Sequence, residues 1–140
     1  CIRDRVNTYL LGSHLFMRAD YYGNDWLRDP RFLIGTSMFV VGLLINRQSD
    51  RVLHDLRDSR ETGYQVPEGG LYRWVSSPNY LGEIIQWFGW AIATWSLAGL
   101  AFALWTVANL APRARSHHQW YRQKFGDYPA ERRALLPMIW

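Results

Sequence analysis

Cysteine is almost missing from this chain: Cys1 is the only one in 140 residues. A single thiol excludes an internal disulfide framework and a cysteine-built metal site. Histidine is scarce too. His14, His54, His117 and His118 are the whole set, they form no series of spaced pairs, and no metal centre is expected. Neither G-x-G-x-x-G nor G-x-x-x-x-G-K-[ST] occurs, which removes the Rossmann fold and the P-loop. G-x-S-x-G is also absent, and with it the serine-hydrolase signature. Lysine is confined to Lys124, so 15 of the 16 basic residues are arginine. Only 20% of residues are charged, while 49% are hydrophobic and 16% aromatic, too apolar for a disordered chain. The net charge of +4 is not gathered on one polar domain, so a nucleic-acid partner is not expected.

What is present is segregated. Phe32 to Asn46 is a run of 15 uncharged residues, flanked by Arg28, Arg31 and Arg47. It is short for a span of about 20 residues, but the flanking arginines can snorkel to the interfaces, and a transmembrane helix is expected there. Residues 6–17 form a weaker apolar block. The strongest block is 81–111, whose one charge is Glu83. As a single helix it would extend roughly 46 Å, well beyond a ~30 Å hydrocarbon core. A break near Thr94–Gly99 is therefore predicted, giving two helices of about 16 residues each. Arginine-rich segments at 47–61 and 113–133 fall on the cytoplasmic side by the positive-inside rule. Residues 62–78, with Pro67, Gly69, Gly70 and Pro78, read as a loop. Pro78 suits the first position of the next helix. The fold class is all-α, a multi-pass transmembrane helical bundle. The chain opens on Cys1 and is read as the C-terminal part of a longer protein.

Polar groups on these apolar helices line up. At 100° per residue Asn46, Asp50 and Arg57 fall at about 0°, 40° and 20°. Arg113, His117 and Tyr121 follow one another at i, i+4 and i+8, and Asn79 and Glu83 at i and i+4. Three helical faces thus bring amide, carboxylate, guanidinium, imidazole and phenol groups toward one membrane surface. Read blandly, the arginines are interfacial anchors and Asp50 with Arg57 a surface ion pair. Glu83 resists that reading, because an ionisable group inside an apolar run is costly and marks a functional site by default. Cations beside amides and flat rings suit a phosphate-bearing nucleotide, with Tyr64, Trp120 or Tyr121 available to stack on a ring.

The stretch SSPNYLGEIIQWFGWAIATWSLAGLAFALW, then RARSHHQWYRQKFGDYPAERRALLPMIW, resembles the C-terminal half of the steroid 5α-reductase family. NRQSDRVLHDLR and YQVPEGGLYRWVSSPNY resemble its preceding segments, so the likeness covers essentially the whole chain. The resemblance implies the C-terminal part of a seven-helix membrane reductase occupying residues 1–140, with cytosolic cofactor-binding segments at about 47–78 and 112–140. It implies NADPH as cofactor and hydride transfer to C5 of 3-oxo-Δ4 steroids. Residue by residue, it assigns cofactor contacts to Asn46, Asp50, Arg57, Tyr64, Asn79, Glu83, Arg113, His117 and Tyr121. It places Trp87 and Trp105 in the substrate pocket, and Asn109 at a position where the family has an aromatic residue. The family's catalytic Tyr and Glu belong to earlier helices. No catalytic residue is therefore expected in this segment, which alone should not turn over substrate.

Three rivals stand beside this reading. An enoyl-CoA or polyprenol reductase of the same superfamily is the nearest; the Leu81-Gly82-Glu83 triplet favours the steroid type. An S-adenosylmethionine-dependent isoprenylcysteine methyltransferase would share PNYLG but leave NRQSDRVLHDLR unexplained. A membrane scaffold whose arginines bind anionic lipid is the non-enzymatic reading. Partners expected are a steroid or steroid-like enone and membrane lipids. The expected location is a bacterial inner membrane, or the endoplasmic reticulum membrane in a eukaryote.

Overall fold

The computed structural model describes residues 2–17, 22–58 and 65–137. Four helices account for most of them: α1 (Ile2–Met17), α2 (Pro30–Asp58), α3 (Pro78–Thr94) and α4 (Leu97–Lys124). Short 3-10 turns at Asn24–Arg28 and Gly70–Arg73 lie in the connections. No strand occurs among the described residues. One isolated parallel bridge joins Val75 to Arg133 and ties the carboxy-terminal segment to the loop before α3.

Local chemistry sets the helix ends. Asp29 precedes Pro30 and accepts the Arg31 backbone N–H at 2.8 Å, so an acidic cap and a proline at the first position start α2. α3 also begins on a proline, Pro78, as its sequence predicts. It stops at Trp95, which turns left-handed at φ 44° and ψ 46°. A bulky residue rarely adopts that conformation. Here the Trp95 N–H reaches the Ala91 and Ile92 carbonyls, and Ser96 caps α4 by accepting the Gly99 N–H at 3.0 Å. The break thus falls inside the window expected from length. The two helices are unequal: α3 has 17 residues and α4 has 28. The apolar run and the arginine-rich run after it are one helix, carried through Pro112.

The core of the molecule is the α2–α3 pair. Glycines spaced seven apart on each helix meet in antiparallel register, Gly35 against Gly89 and Gly42 against Gly82. A Cβ on Gly35 would lie 2.6 Å from the Gly89 carbonyl oxygen, and one on Gly42 would lie 2.6 Å from that of Gly82. The two backbones touch where any side chain would hold them apart. α4 packs on the other side of α3, with Trp87 edge-on to Phe102 at 4.3 Å.

Outside this core the helices stay apolar. Leu33, Ile34, Val41 and Leu44 on α2, and Leu97, Leu104 and Trp105 on α4, are all more than half exposed. Pro30–Leu56 is long and apolar enough to cross a membrane. Its 27 residues extend about 40 Å, so the polar end from Asp50 onward emerges beyond a ~30 Å core. Because α2, α3 and α4 run alternately, the end of α2, the start of α3 and the end of α4 share one end of the molecule.

Candidate functional site

A cavity of about 870 Å³ opens at that shared end. α2 contributes Asp50, Leu53 and His54, and α4 contributes His117, Trp120 and Tyr121. The start of α3 contributes Asn79 and Tyr80, and the loop before it Tyr72, Ser76 and Ser77. The volume lies in the range of pockets that enclose a small organic ligand.

Amides and a carboxylate form one chain across the α2–α3 seam. Asn46 donates its Nδ2–H to the Asn79 backbone carbonyl at 3.1 Å. Asn79 in turn donates its own Nδ2–H to Asp50 Oδ1 at 3.3 Å. Asn46 can approach so closely because Gly82 sits beside it; a Cβ there would lie 2.6 Å from the Asn46 nitrogen. Across the cavity the Tyr80 ring faces the His117 imidazole at 5.7 Å. Tyr121 lies parallel to Tyr128, 5.5 Å apart and 10° from coplanar.

The loop and the carboxy-terminal segment supply the buried wall. Tyr72 is 2% exposed and donates its hydroxyl to the Ser49 carbonyl at 3.3 Å. Burial, with Tyr121, Asp50 and Tyr80 nearby, pushes the Tyr72 phenol well above its ordinary range, so it stays a neutral donor. Ser76 lies within 2.6 Å of both His118 Nδ1 and the Tyr128 hydroxyl, and 3.1 Å from the Arg133 carbonyl. Arg132, buried, donates from Nη1 to the Pro67 carbonyl at 3.0 Å and lies over the Tyr128 ring.

Of the residues singled out from sequence, Asp50, Asn79, His117 and Tyr121 line this cavity, and Asn46 is bonded to its wall. Tyr64 and the Arg57 side chain lie outside the described residues. Glu83, half-buried one turn beyond Asn79, and Arg113, exposed one turn before His117, are not among the lining residues. Trp87 packs between α3 and α4. Trp105 faces outward, 53% exposed, and Asn109 donates to the Trp105 carbonyl within its own helix at 2.9 Å. Lining residues that sequence reasoning passed over are Tyr72, Ser76, Ser77, Tyr80, Leu53 and His54. His54 was within reach, since it continues the Asn46–Asp50 stripe at i+4. Ser76 was not: its partners Tyr128 and Arg133 lie 52 and 57 residues away.

A second cavity of about 540 Å³ lies at the opposite end, walled by Trp26, Phe32, Phe39 and Trp90 among others. It is apolar and holds none of the residues above. Among the described residues no three His, Cys, Asp or Glu side chains are grouped to hold a metal ion.

An all-α chain of membrane type, with a hydrogen-bonding cavity at one end of an apolar helix pair, is the class these features define. The 3-oxo-5-alpha-steroid 4-dehydrogenase family model matches residues 4–140, and the chain belongs to that family. It is 47% identical over 133 residues to the bovine (Bos taurus) 3-oxo-5-alpha-steroid 4-dehydrogenase 1, covering 95% of this chain and 51% of the relative. It is 50% identical over 136 residues to the tomato (Solanum lycopersicum) steroid 5-alpha-reductase DET2, covering 96% and 52%. With the human (Homo sapiens) 3-oxo-5-alpha-steroid 4-dehydrogenase 2 the figures are 46% over 133 residues, 95% and 52%. The chain thus spans about half the length of the relatives it matches.

Proposed function

We propose that this chain forms most of the NADPH site of an integral-membrane reductase that saturates the 4,5 double bond of 3-oxo-Δ4 steroids. One observation carries the reading. In a chain of this family, Asp50, Asn79, His117 and Tyr121 come from three helices and line one cavity at the polar end of the bundle. The lining also fits the cofactor in kind. Amide groups and a carboxylate can pair with a carboxamide and ribose hydroxyls, imidazole can meet phosphate, and the Tyr80 and Trp120 rings can lie against a base.

When bound, NADPH supplies a hydride from nicotinamide C4 to C5 of the enone, and the 3-oxo oxygen takes up the negative charge. The chain's own residues bind and orient. Asn79, bonded to Asp50, would offer its amide to the nicotinamide carboxamide, with Glu83 one turn on at the edge of that side. Asp50 would accept from a ribose hydroxyl. Arg57, Arg113 and His117 would hold the phosphates, both arginines by paired N–H groups and Arg113 from the rim. Asn46 fixes Asn79 from behind, Tyr64 and Tyr121 would bracket the adenosine end, and Trp87 and the outward-facing Trp105 would serve the steroid side. The proton for the enone oxygen, or the hydrogen bond that stabilises its charge, falls to residues outside this segment. The segment alone is accordingly inactive. The bundle crosses the membrane more than once, with this cavity on the cytosolic side.

Mass spectrometry of the nucleotide that co-purifies with the full-length protein tests the reading. NADP(H) is expected. S-adenosylmethionine, or anionic lipid with no nucleotide, would overturn it.

A further inference from the structure

Ser76 is a three-way junction. Its Oγ lies 3.1 Å from the Arg133 carbonyl, which also takes the Ser76 N–H at 2.8 Å. Its other two neighbours, His118 Nδ1 and the Tyr128 hydroxyl, are closer, each at 2.6 Å. Burial, with Arg122 and Arg133 nearby, pushes the His118 imidazole below its ordinary value, consistent with a neutral ring.

The junction ties α4 and the carboxy-terminal strap to the wall of the main cavity. Ser76 and Ser77 line that cavity and lead through Pro78 into Asn79. Ser76 N–H donates to the Arg133 carbonyl at 2.8 Å, and Arg133 N–H to the Trp74 carbonyl at 3.0 Å, so the carboxy-terminal strap is bonded on both sides of Val75. Tyr128 serves twice. Its hydroxyl meets Ser76, and its ring lies parallel to Tyr121 on the cavity wall.

We propose that Tyr128 and His118 are positioning residues for the nucleotide: by converging on Ser76 they hold the Ser76–Asn79 wall and the Tyr121 ring where the cofactor meets them. This rests on the NADPH reading above and extends it to groups that touch no ligand. Losing either contact lets the wall drift, while the helices remain in place on their glycine seam. The defect is therefore one of nucleotide affinity.

Steady-state kinetics and NADPH fluorescence titration of the full-length protein in nanodiscs test this with Tyr128→Phe, His118→Asn and His118→Gln. Tyr128→Phe keeps the stacked ring and removes the hydroxyl that meets Ser76. The KM and Kd for NADPH are expected to rise about five- to tenfold, as for loss of one buried hydrogen bond, with the steroid KM unchanged and kcat within about twofold. His118→Asn returns a hydrogen-bonding amide group near the Nδ1 position and should restore near-normal affinity; His118→Gln, whose amide reaches the other ring nitrogen's place, should not. Unaltered NADPH KM in both Tyr128→Phe and His118→Gln would overturn the proposal. So would a fall in active fraction or melting temperature with KM unmoved, the sign of a structural role only. A wild-type protein that binds no NADPH would overturn the parent reading, and this one with it.

Discussion

The two ends of the α2–α3 pair are built from the same helices and put their side chains to different use. At the far end, aromatic side chains close a helix terminus. Tyr22 donates to the Thr94 carbonyl at 2.7 Å and the Trp26 indole N–H to the Ala93 carbonyl at 3.1 Å, closing the last turn of α3. Arg31 grips Asp29 with two N–H groups, lies over the Trp26 and Trp95 rings, and holds the Asp29 carboxyl below the usual carboxylate range. At the cavity end, bonds to the Asn79 and Ser49 carbonyls stand beside side-chain pairs, Asn79 with Asp50 and Ser76 with His118 and Tyr128. Polar groups there line an open cavity, and the wall is held from behind. One end closes the bundle and the other presents chemistry.

The largest effect should come from the seam the ends share. Gly42→Val forces a branched side chain against the Gly82 carbonyl and the Gln86 backbone. A loss of about 3 kcal/mol is expected from overpacking that has no flexible neighbour to yield. Thermal unfolding should show it, with NADPH binding falling only as folded protein falls. Next is Asn79→Ala, which cuts the link to Asp50. NADPH affinity should drop about tenfold, about 1.4 kcal/mol, with the melting temperature nearly unchanged. Tyr22→Phe is its mirror at the far end: about 1 kcal/mol of stability lost and the NADPH KM unmoved. If Tyr22→Phe weakened the nucleotide and Asn79→Ala only the fold, the division between the ends would fail.

The smallest effect is a pH dependence. His118 titrates below its ordinary value in the folded chain. The unfolded chain therefore binds more protons between that lowered value and about 6.5. The stability His118 contributes is fully present above pH 6.5 and is lost as pH falls through the folded value. Melting temperatures from pH 7.5 down to 5 should decline less steeply in His118→Asn than in the wild type.

Much of this end was legible in the chain. Helical spacing alone aligned Asn46 with Asp50 and put Arg113, His117 and Tyr121 on one face. Length alone demanded a break near Trp95. Pro78 marked a helix start by its missing N–H. The contacts that make a cavity of these stripes were not legible. Gly35, Gly42, Gly82 and Gly89 show their seven-residue spacing, but spacing does not say which helix answers which, or in what register. α4 runs through Pro112 although that ring removes the N–H that would bond the Ala108 carbonyl, an outcome local sequence does not announce. The Ser76 junction joins segments more than forty residues apart, beyond any local periodicity.

The central claim is that residues 50–54, 76–80 and 117–121 surround one pyridine nucleotide. Photolabelling of the full-length protein with a light-activated NADPH analogue, followed by peptide mapping, tests it most directly. Labels in all three segments, each suppressed by excess NADPH, are the result expected. Labels confined to other segments, or undiminished by NADPH, would contradict it.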